Sequence, residues 1–307
     1  MAKNAFRQGL ISIKEIDKEA IECILTKSGK FKERLPGALL KGKILASLFF
    51  ESSTRTRLSF ESAMKRLGGE CIGLAGKEES SLSKGESLSD TIRVVSGYAD
   101  LIVIRHPMEG SAKTAEQASR VPVINAGDGA NEHPTQTLLD LFTIQESQNR
   151  LEGLNILIAG DLKHSRTIHS LVIALRHFNP CLFFVSPKGL EIPDAPLHYL
   201  REAKVPFSFY SSLEEILPQV DILYMTRIQK ERFSQPSEYE RTKNAFHLTN
   251  ASLVQAKSNL RILHPLPRIN EIASEVDESP YAYYFPQAEN GVFVRAALMD
   301  TIFNGIT

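Results

Sequence analysis

Short apolar runs alternate with helix-period segments along this chain. Ile44–Phe50, Leu101–Ile104 and Val121–Asn125 lie in the first half, and Asn155–Ala159, Leu182–Val185, Ile222–Met225 and Leu260–Leu263 in the second. Each is bounded by polar, Gly or Pro residues, as buried strands are, although periodicity alone does not separate a buried strand from a buried helix. Between the runs, Thr54–Leu67 places Phe60, Ala63, Met64 and Leu67 on one helical face. Pro134–Gln148 does the same with Leu138, Leu141 and Phe142, and Pro134 suits a first turn, where its missing N–H does no harm. A last helix is expected after Asn290-Gly291, capped by Asn290, with Val294, Ala297, Leu298 and Ile302 on one side. Strands alternating with helices predict right-handed crossovers and parallel sheets.

A length of 307 residues predicts two domains, and the polar stretch Arg150-Leu151-Glu152-Gly153 marks a boundary between two α/β halves. Lys plus Arg (36) equal Asp plus Glu (36), so the basic excess of a nucleic-acid binder is absent and any anion site must be a local cluster of cations. Cys23, Cys71 and Cys181 have neither zinc-ligand nor redox spacing and read as reduced thiols. No signal-peptide pattern opens the chain and no apolar run is long enough to span a bilayer, so the expectation is a soluble cytoplasmic protein without membrane association. The connection Gly76–Ser87 is polar and has almost no apolar residue. It is either a functional lid or a mobile loop, and composition favours the second.

Open α/β sheets bind ligands at the carboxyl ends of their strands, so the chemistry is sought where the apolar runs stop. The first run ends in Glu51-Ser52-Ser53-Thr54-Arg55-Thr56-Arg57 and leads directly into a helix. With Ser53 as N-cap, the first turn would offer N–H groups, hydroxyls and a guanidinium to an anion such as phosphate. A well-capped helix with solvent-facing arginines is the equal alternative from local physics. Arg105-His106-Pro107 ends the second run. Further on, His133 and Gln136 stand three apart at a helix start, able to face one side. In the second half the runs end in Gly160-Asp161-Leu162-Lys163-His164-Ser165-Arg166, in Thr226-Arg227-Ile228-Gln229, and in His264-Pro265-Leu266-Pro267-Arg268. The three-glycine dinucleotide fingerprint, the Walker loop, the zinc-protease helix and the G-x-S-x-G elbow are all missing. Arginines, hydroxyls and a histidine at strand ends suit polyanion binding better than covalent or metal chemistry.

These residues carry a resemblance. Ser53-Thr54-Arg55-Thr56-Arg57 and His133-Pro134-Thr135-Gln136 are similar to the two shared motifs of the carbamoyltransferase family, and His264-Pro265-Leu266-Pro267-Arg268 resembles the aspartate branch of it. The ornithine branch usually has His-Cys-Leu-Pro there and a Ser-Met-Gly segment where this chain has Thr226-Arg227-Ile228-Gln229. The resemblance runs from about Leu10 to the last helix. It implies two doubly wound α/β domains, each a mainly parallel sheet flanked by helices, with the C-terminal helix returning to the first. Residues 1–134 plus 291–307 would bind carbamoyl phosphate, 150–284 would bind aspartate, and 135–149 and 285–290 would connect them.

By the same resemblance the reaction is carbamoyl transfer from carbamoyl phosphate to L-aspartate, a step of de novo pyrimidine synthesis, with no cofactor or metal. Ser53, Thr54, Arg55 and Thr56 would hold the phosphate; Thr56, Arg105 and His133 would polarise the carbamoyl oxygen. Gln136 and the carbonyls of Pro265 and Leu266 would hold the carbamoyl amide, and Arg166, Arg227 and Gln229 the aspartate carboxylates. Lys84, with Ser81 beside it, would enter a neighbouring subunit's site, which requires a homotrimer. Glu51, with Arg166 and Arg232, would fix domain closure. Tyr224–Tyr239 resembles members that work with separate zinc-bearing regulatory chains, although Asn270 stands where those often carry Asp. The rival readings are a carbamoyltransferase for another amine such as ornithine, and a non-catalytic ligand-binding member.

Overall fold

The apolar runs fold as strands because residues apolar on both faces are covered only inside a sheet packed on both sides. The computed structural model describes residues 6–75, 85–230, 233 and 235–305; Ser80, Ser81, Lys84 and Arg232 lie outside them. In chain order its elements are β1 (Gly9–Leu10), α1 (Lys18–Glu33), β2 (Ile44–Phe49), α2 (Thr54–Arg66), β3 (Glu70–Ala75), α3 (Leu88–Val95), β4 (Leu101–His106), α4 (Ser111–Ala118), β5 (Val123–Asp128) and α5 (Pro134–Gln148). There follow β6 (Asn155–Ala159), α6 (Arg166–Leu175), β7 (Cys181–Val185), α7 (Asp194–Glu202), β8 (Phe207–Tyr210), β9 (Ile222–Met225), α8 (Pro236–Thr242), β10 (Arg261–Leu263) and α9 (Tyr284–Asn304). The chain divides into two units, Met1–Phe142 with Ala288–Thr307, and Thr143–Gln287.

The first unit is built on a sheet of order β1-β5-β4-β2-β3, every pair parallel. On one face Ala46, Leu48, Ile102, Ile104 and Val123 pack with Ile92, Ala112 and Ala115. The second sheet, order β10-β9-β6-β7-β8, is also wholly parallel, and Leu157, Ala159, Leu223, Met225 and Ile262 pack with Leu213, Ile216 and Val276. Both are doubly wound. The chain leaves β2 for β3 on one side and returns as β4 on the other; it leaves β6 for β7 and β8 and returns as β9. The strand order therefore reverses between β2 and β4 and between β6 and β9, the positions at which open α/β sheets bind ligands.

Three strands escape the apolar-run reading: β1, β3 and β8. All three lie at sheet edges, where one side needs no partner and polar or glycine residues such as Glu70, Gly73 and Ser208 are tolerated. One expectation is corrected. Asn290 does not cap the last helix, because α9 begins six residues earlier at Tyr284. Asn290 is buried inside it and accepts a hydrogen bond from Lys32 Nζ of α1 at 2.9 Å. Lys27 of α1 also donates to Asp300 of α9 at 2.9 Å, a buried ion pair. Among the described residues no helix is long and apolar enough to cross a membrane.

Candidate active site

At the first switch point, β2 and β4 run in register, Phe49 opposite Arg105, so the residues that follow each strand emerge side by side. The Arg105 guanidinium pairs with Glu51 at 2.8 Å and donates to the Ala126 carbonyl of β5 at 3.3 Å, which fixes it across three strand ends. Ser53 occupies the N-cap of α2, as the sequence indicates, but its hydroxyl makes no capping bond. The first turn thus carries Thr54, Arg55 and buried Thr56 at the positive end of the helix dipole. Arg57 is spent differently, bound through Nε to Glu61 one turn on at 2.7 Å.

The β5–α5 connection brings His133 and Gln136 in. Both are buried, and the Gln136 backbone N–H, bonded to the His133 carbonyl at 3.0 Å, also reaches His133 Nδ1 at 3.3 Å, which favours the ring proton on Nε2. A neutral histidine with its proton on Nε2 can donate to an oxygen without first gaining charge. Three carboxylates that sequence reasoning missed hold this region. Asp128 accepts from Asn125 Nδ2 (3.0 Å), the Gly110 amide (2.9 Å) and the Glu132 amide (3.2 Å). Glu132 accepts from Ser12 Oγ (2.7 Å), the Ile13 amide (2.8 Å) and Lys14 (3.1 Å). Asp140 accepts from Gln136 Nε2 at 2.9 Å.

The second switch point has the same plan. Ala159 of β6 lies opposite Met225 of β9, and Gly160 passes so close that a Cβ there would stand 2.1 Å from the Thr226 carbonyl oxygen. Ser165 sits at the N-cap of α6 without a side-chain capping bond, and Arg166 opens the helix. Arg227 and Gln229 follow β9. Asp161, fully buried, accepts from the His164 backbone N–H (3.0 Å), meets the His164 ring (3.1 Å) and accepts from the Gln229 backbone N–H (3.4 Å), tying the two loops together.

The loop after β10 is held by a buried relay. His264 Nδ1 accepts from the Leu266 backbone N–H at 2.8 Å, and its Nε2 faces Glu271 at 2.7 Å. Glu271 also accepts from the Ile269 and Asn270 amides, both at 3.1 Å. Burial drives the His264 pKa below its ordinary value, against the opposing pull of Glu271, so the ring is neutral with its proton on Nε2. Burial works against the Glu271 charge, but the bonds from His264 and the amides hold its pKa below the usual range. Leu266 has φ +56 within this loop, and the Leu266–Pro267 peptide is cis. Pro265 and Leu266 are half-buried.

Fold and site define two doubly wound parallel α/β units, each with arginine, hydroxyl and amide groups at the switch point of its sheet, an anion-binding design. Residues 8–146 match the family model for the carbamoyl-P binding domain of aspartate/ornithine carbamoyltransferase, and residues 152–302 that for its Asp/Orn binding domain. The chain belongs to the aspartate/ornithine carbamoyltransferase family. It is 52% identical over 307 residues to the aspartate carbamoyltransferase catalytic subunit of Vibrio campbellii, covering 99% of each chain. Among solved structures, the catalytic subunit of M. jannaschii aspartate transcarbamoylase superposes with a TM-score of 0.90 at 50% identity, covering 96% of this chain and 98% of that one. Aspartate transcarbamoylase from Trypanosoma cruzi in complex with carbamoyl phosphate and aspartate superposes with a TM-score of 0.92 at 34% identity, covering 98% of both chains.

Proposed function

We propose that this chain transfers the carbamoyl group of carbamoyl phosphate to the amino group of L-aspartate, giving N-carbamoyl-L-aspartate and phosphate, in pyrimidine biosynthesis. The observation that carries this reading is the coincidence of two cation-rich residue sets with the two switch points, one per sheet. The first set is assigned to carbamoyl phosphate. Ser53, Thr54, Arg55 and Thr56 would hold the phosphate, and Thr56, Arg105 and the Nε2–H of His133 the carbamoyl oxygen. Gln136 and the carbonyls of Pro265 and Leu266 would take the carbamoyl NH2. In the second set Arg166, Arg227 and Gln229 would bind the aspartate carboxylates. Lys84 and Ser81 are assigned to a neighbouring subunit's site, and Glu51 and Arg232 to domain closure, on the family resemblance alone.

Both substrates are anions, so their approach is opposed by Coulomb repulsion that Arg55, Arg105, Arg166 and Arg227 offset. The neutral aspartate amine adds to the carbamoyl carbon, charge collects on the carbamoyl oxygen, and donors already aimed at it stabilise that charge without reorganising. The C–O bond to phosphate then breaks, and the departing phosphate oxygen takes the amine proton, so no side-chain base is required. A homotrimer in the cytoplasm is the proposed working form, and separate zinc-bearing regulatory chains are a further proposed partner, on the likeness of Tyr224–Tyr239 to regulated members.

The deciding experiment offers carbamoyl phosphate with either aspartate or ornithine and measures both products. Carbamoyl aspartate, with no citrulline, is the expected result. Citrulline formation would transfer the chain to the ornithine branch, and binding of carbamoyl phosphate without turnover would make it a non-catalytic member.

A further inference from the structure

Gln136 and Asp140 stand one turn apart on α5, and the buried hydrogen bond between Gln136 Nε2 and Asp140 Oδ1 measures 2.9 Å. A glutamine amide has a donor end and an acceptor end, and a half-turn about its last bond exchanges them. An ionised carboxylate only accepts. The reversed amide would set its oxygen against Asp140, two acceptors facing each other where water is excluded, at a cost far above that of the observed bond. Asp140 therefore keeps the NH2 group on its own side and leaves Oε1 to accept elsewhere.

Asp140 is completely buried, and a lone carboxylate there would tend to take up a proton. Its counter-charge is Arg295 of α9, itself 3% exposed. Burial pushes the Arg295 guanidinium down to about 9, with the charge of Asp140 opposing that fall. Arg295 is seated against the Phe60 ring, 5.0 Å from its centroid, and runs over Gly291, where a Cβ would stand 2.2 Å from Nη1. Gly291 thus interrupts α9 with a poor helix former because the guanidinium needs the space.

We infer that Asp140 is a positioning residue that locks the Gln136 amide with its oxygen as the acceptor, and so makes the site select an acyl phosphate bearing an N–H donor. The inference rests on the proposed assignment of Gln136 to the carbamoyl group. Carbamoyl and acetyl phosphate differ by NH2 against CH3 at almost equal size. A methyl group would cover Oε1 without giving it a donor, and such a loss corresponds to about a tenfold drop in affinity.

The test is calorimetric titration of the full chain with carbamoyl phosphate, acetyl phosphate and inorganic phosphate. Wild type is expected to prefer carbamoyl phosphate about tenfold over acetyl phosphate. In Asp140→Asn the neighbour can donate as well as accept, the amide is free to turn, and the preference should shrink to about twofold with phosphate affinity unchanged. A folded Asp140→Asn protein that retains the full preference overturns the inference. Gln136→Met separates it from the reading beneath it. A preference lost there but kept in Asp140→Asn removes Asp140 alone, whereas a preference kept in Gln136→Met removes the Gln136 assignment and the inference with it. Should Asp140→Asn not fold, the Gln136 side-chain NH2 protons of the carbamoyl-phosphate complex give the answer by NMR. Slow solvent exchange is expected for an NH2 held on a buried carboxylate, and exchange at the rate of an exposed amide overturns it.

Discussion

Arg55 and Arg57 differ by two positions, and the helix gives them different work. Arg57 turns along α2 to Glu61, while Arg55 stands in the first turn, at the positive end of the dipole beside Thr54 and Thr56. Arg55→Ala is expected to lower kcat by about 10²–10³, the usual cost of one preorganised charge-stabilising donor, whereas Arg57→Ala should leave kcat within a few-fold. Steady-state rates at saturating substrates check both, and equal losses would end the distinction. At the second switch point, Arg227→Ala should raise KM for aspartate about 10–100-fold and that for carbamoyl phosphate much less, as expected when a charged hydrogen bond to one substrate is lost. Matching rises in the two constants would remove Arg227 from the aspartate set. The hydroxyls, arginines, histidine and glutamine proposed for these sets can be picked out in the sequence because they stand in the segments that lead on from apolar runs. Asp128, Glu132 and Asp161 cannot, because they hold loops, and neither can Asp140, which bonds Gln136 one turn away on the same helix. Glu132 reaches back to Ser12 and Ile13, and no local pattern announces a contact 119 residues away.

At the scale of elements, the central strands were legible almost to the residue: β6 and β9 coincide with the runs Asn155–Ala159 and Ile222–Met225. The edge strands β1, β3 and β8 lack an apolar run, whereas the edge strand β10 has one, and the start of α9 lies ahead of its expected position because Asn-Gly reads locally as punctuation although here it is buried helix. The loop after β10 offers a prediction in pH. His264 is neutral in the fold with its pKa below the free value of about 6.5, so the unfolded chain binds more protons as pH falls past that value. The sign follows: this histidine's contribution to stability is present above pH about 6.5 and is lost on acidification toward the folded pKa, at up to about 1.4 kcal/mol per pH unit. Protonation at Nδ1 would also displace the Leu266 amide. Denaturant melts between pH 7 and 5 should show a steeper loss for wild type than for His264→Gln, and parallel slopes would contradict the relay. Gly160 marks the other vulnerable crossing. With φ +125 and the Thr226 carbonyl 2.1 Å from a Cβ position, Gly160→Ala forces β6 and β9 apart. It should cost roughly 1–3 kcal/mol and weaken aspartate binding, because the Asp161 link to Gln229 lies one residue further on.

At the scale of the whole molecule, the proposed trimer makes a claim that no single chain can satisfy. The assignment gives one protomer Arg55 and its neighbour Lys84 for the same reaction, so each protein carrying one substitution should be nearly inactive as a pure assembly. In a trimer that contains both kinds, a chain with intact Arg55 beside a chain with intact Lys84 rebuilds a complete site. Arg55→Ala and Lys84→Ala chains, mixed in equal amounts, unfolded and reassembled, should by random assortment recover about one wild-type site in four in a closed ring. Each variant carried through the same cycle alone should recover none. The dependence on mixing ratio adds a check that simple refolding gains cannot imitate, since activity should peak at equal amounts and vanish toward either pure protein. Light scattering of the mixture gives the assembly state in the same sample. Recovery in trimers places Lys84 in its neighbour's site; inactive mixtures that are nonetheless trimeric return Lys84 to its own chain and leave the trimer without a catalytic reason.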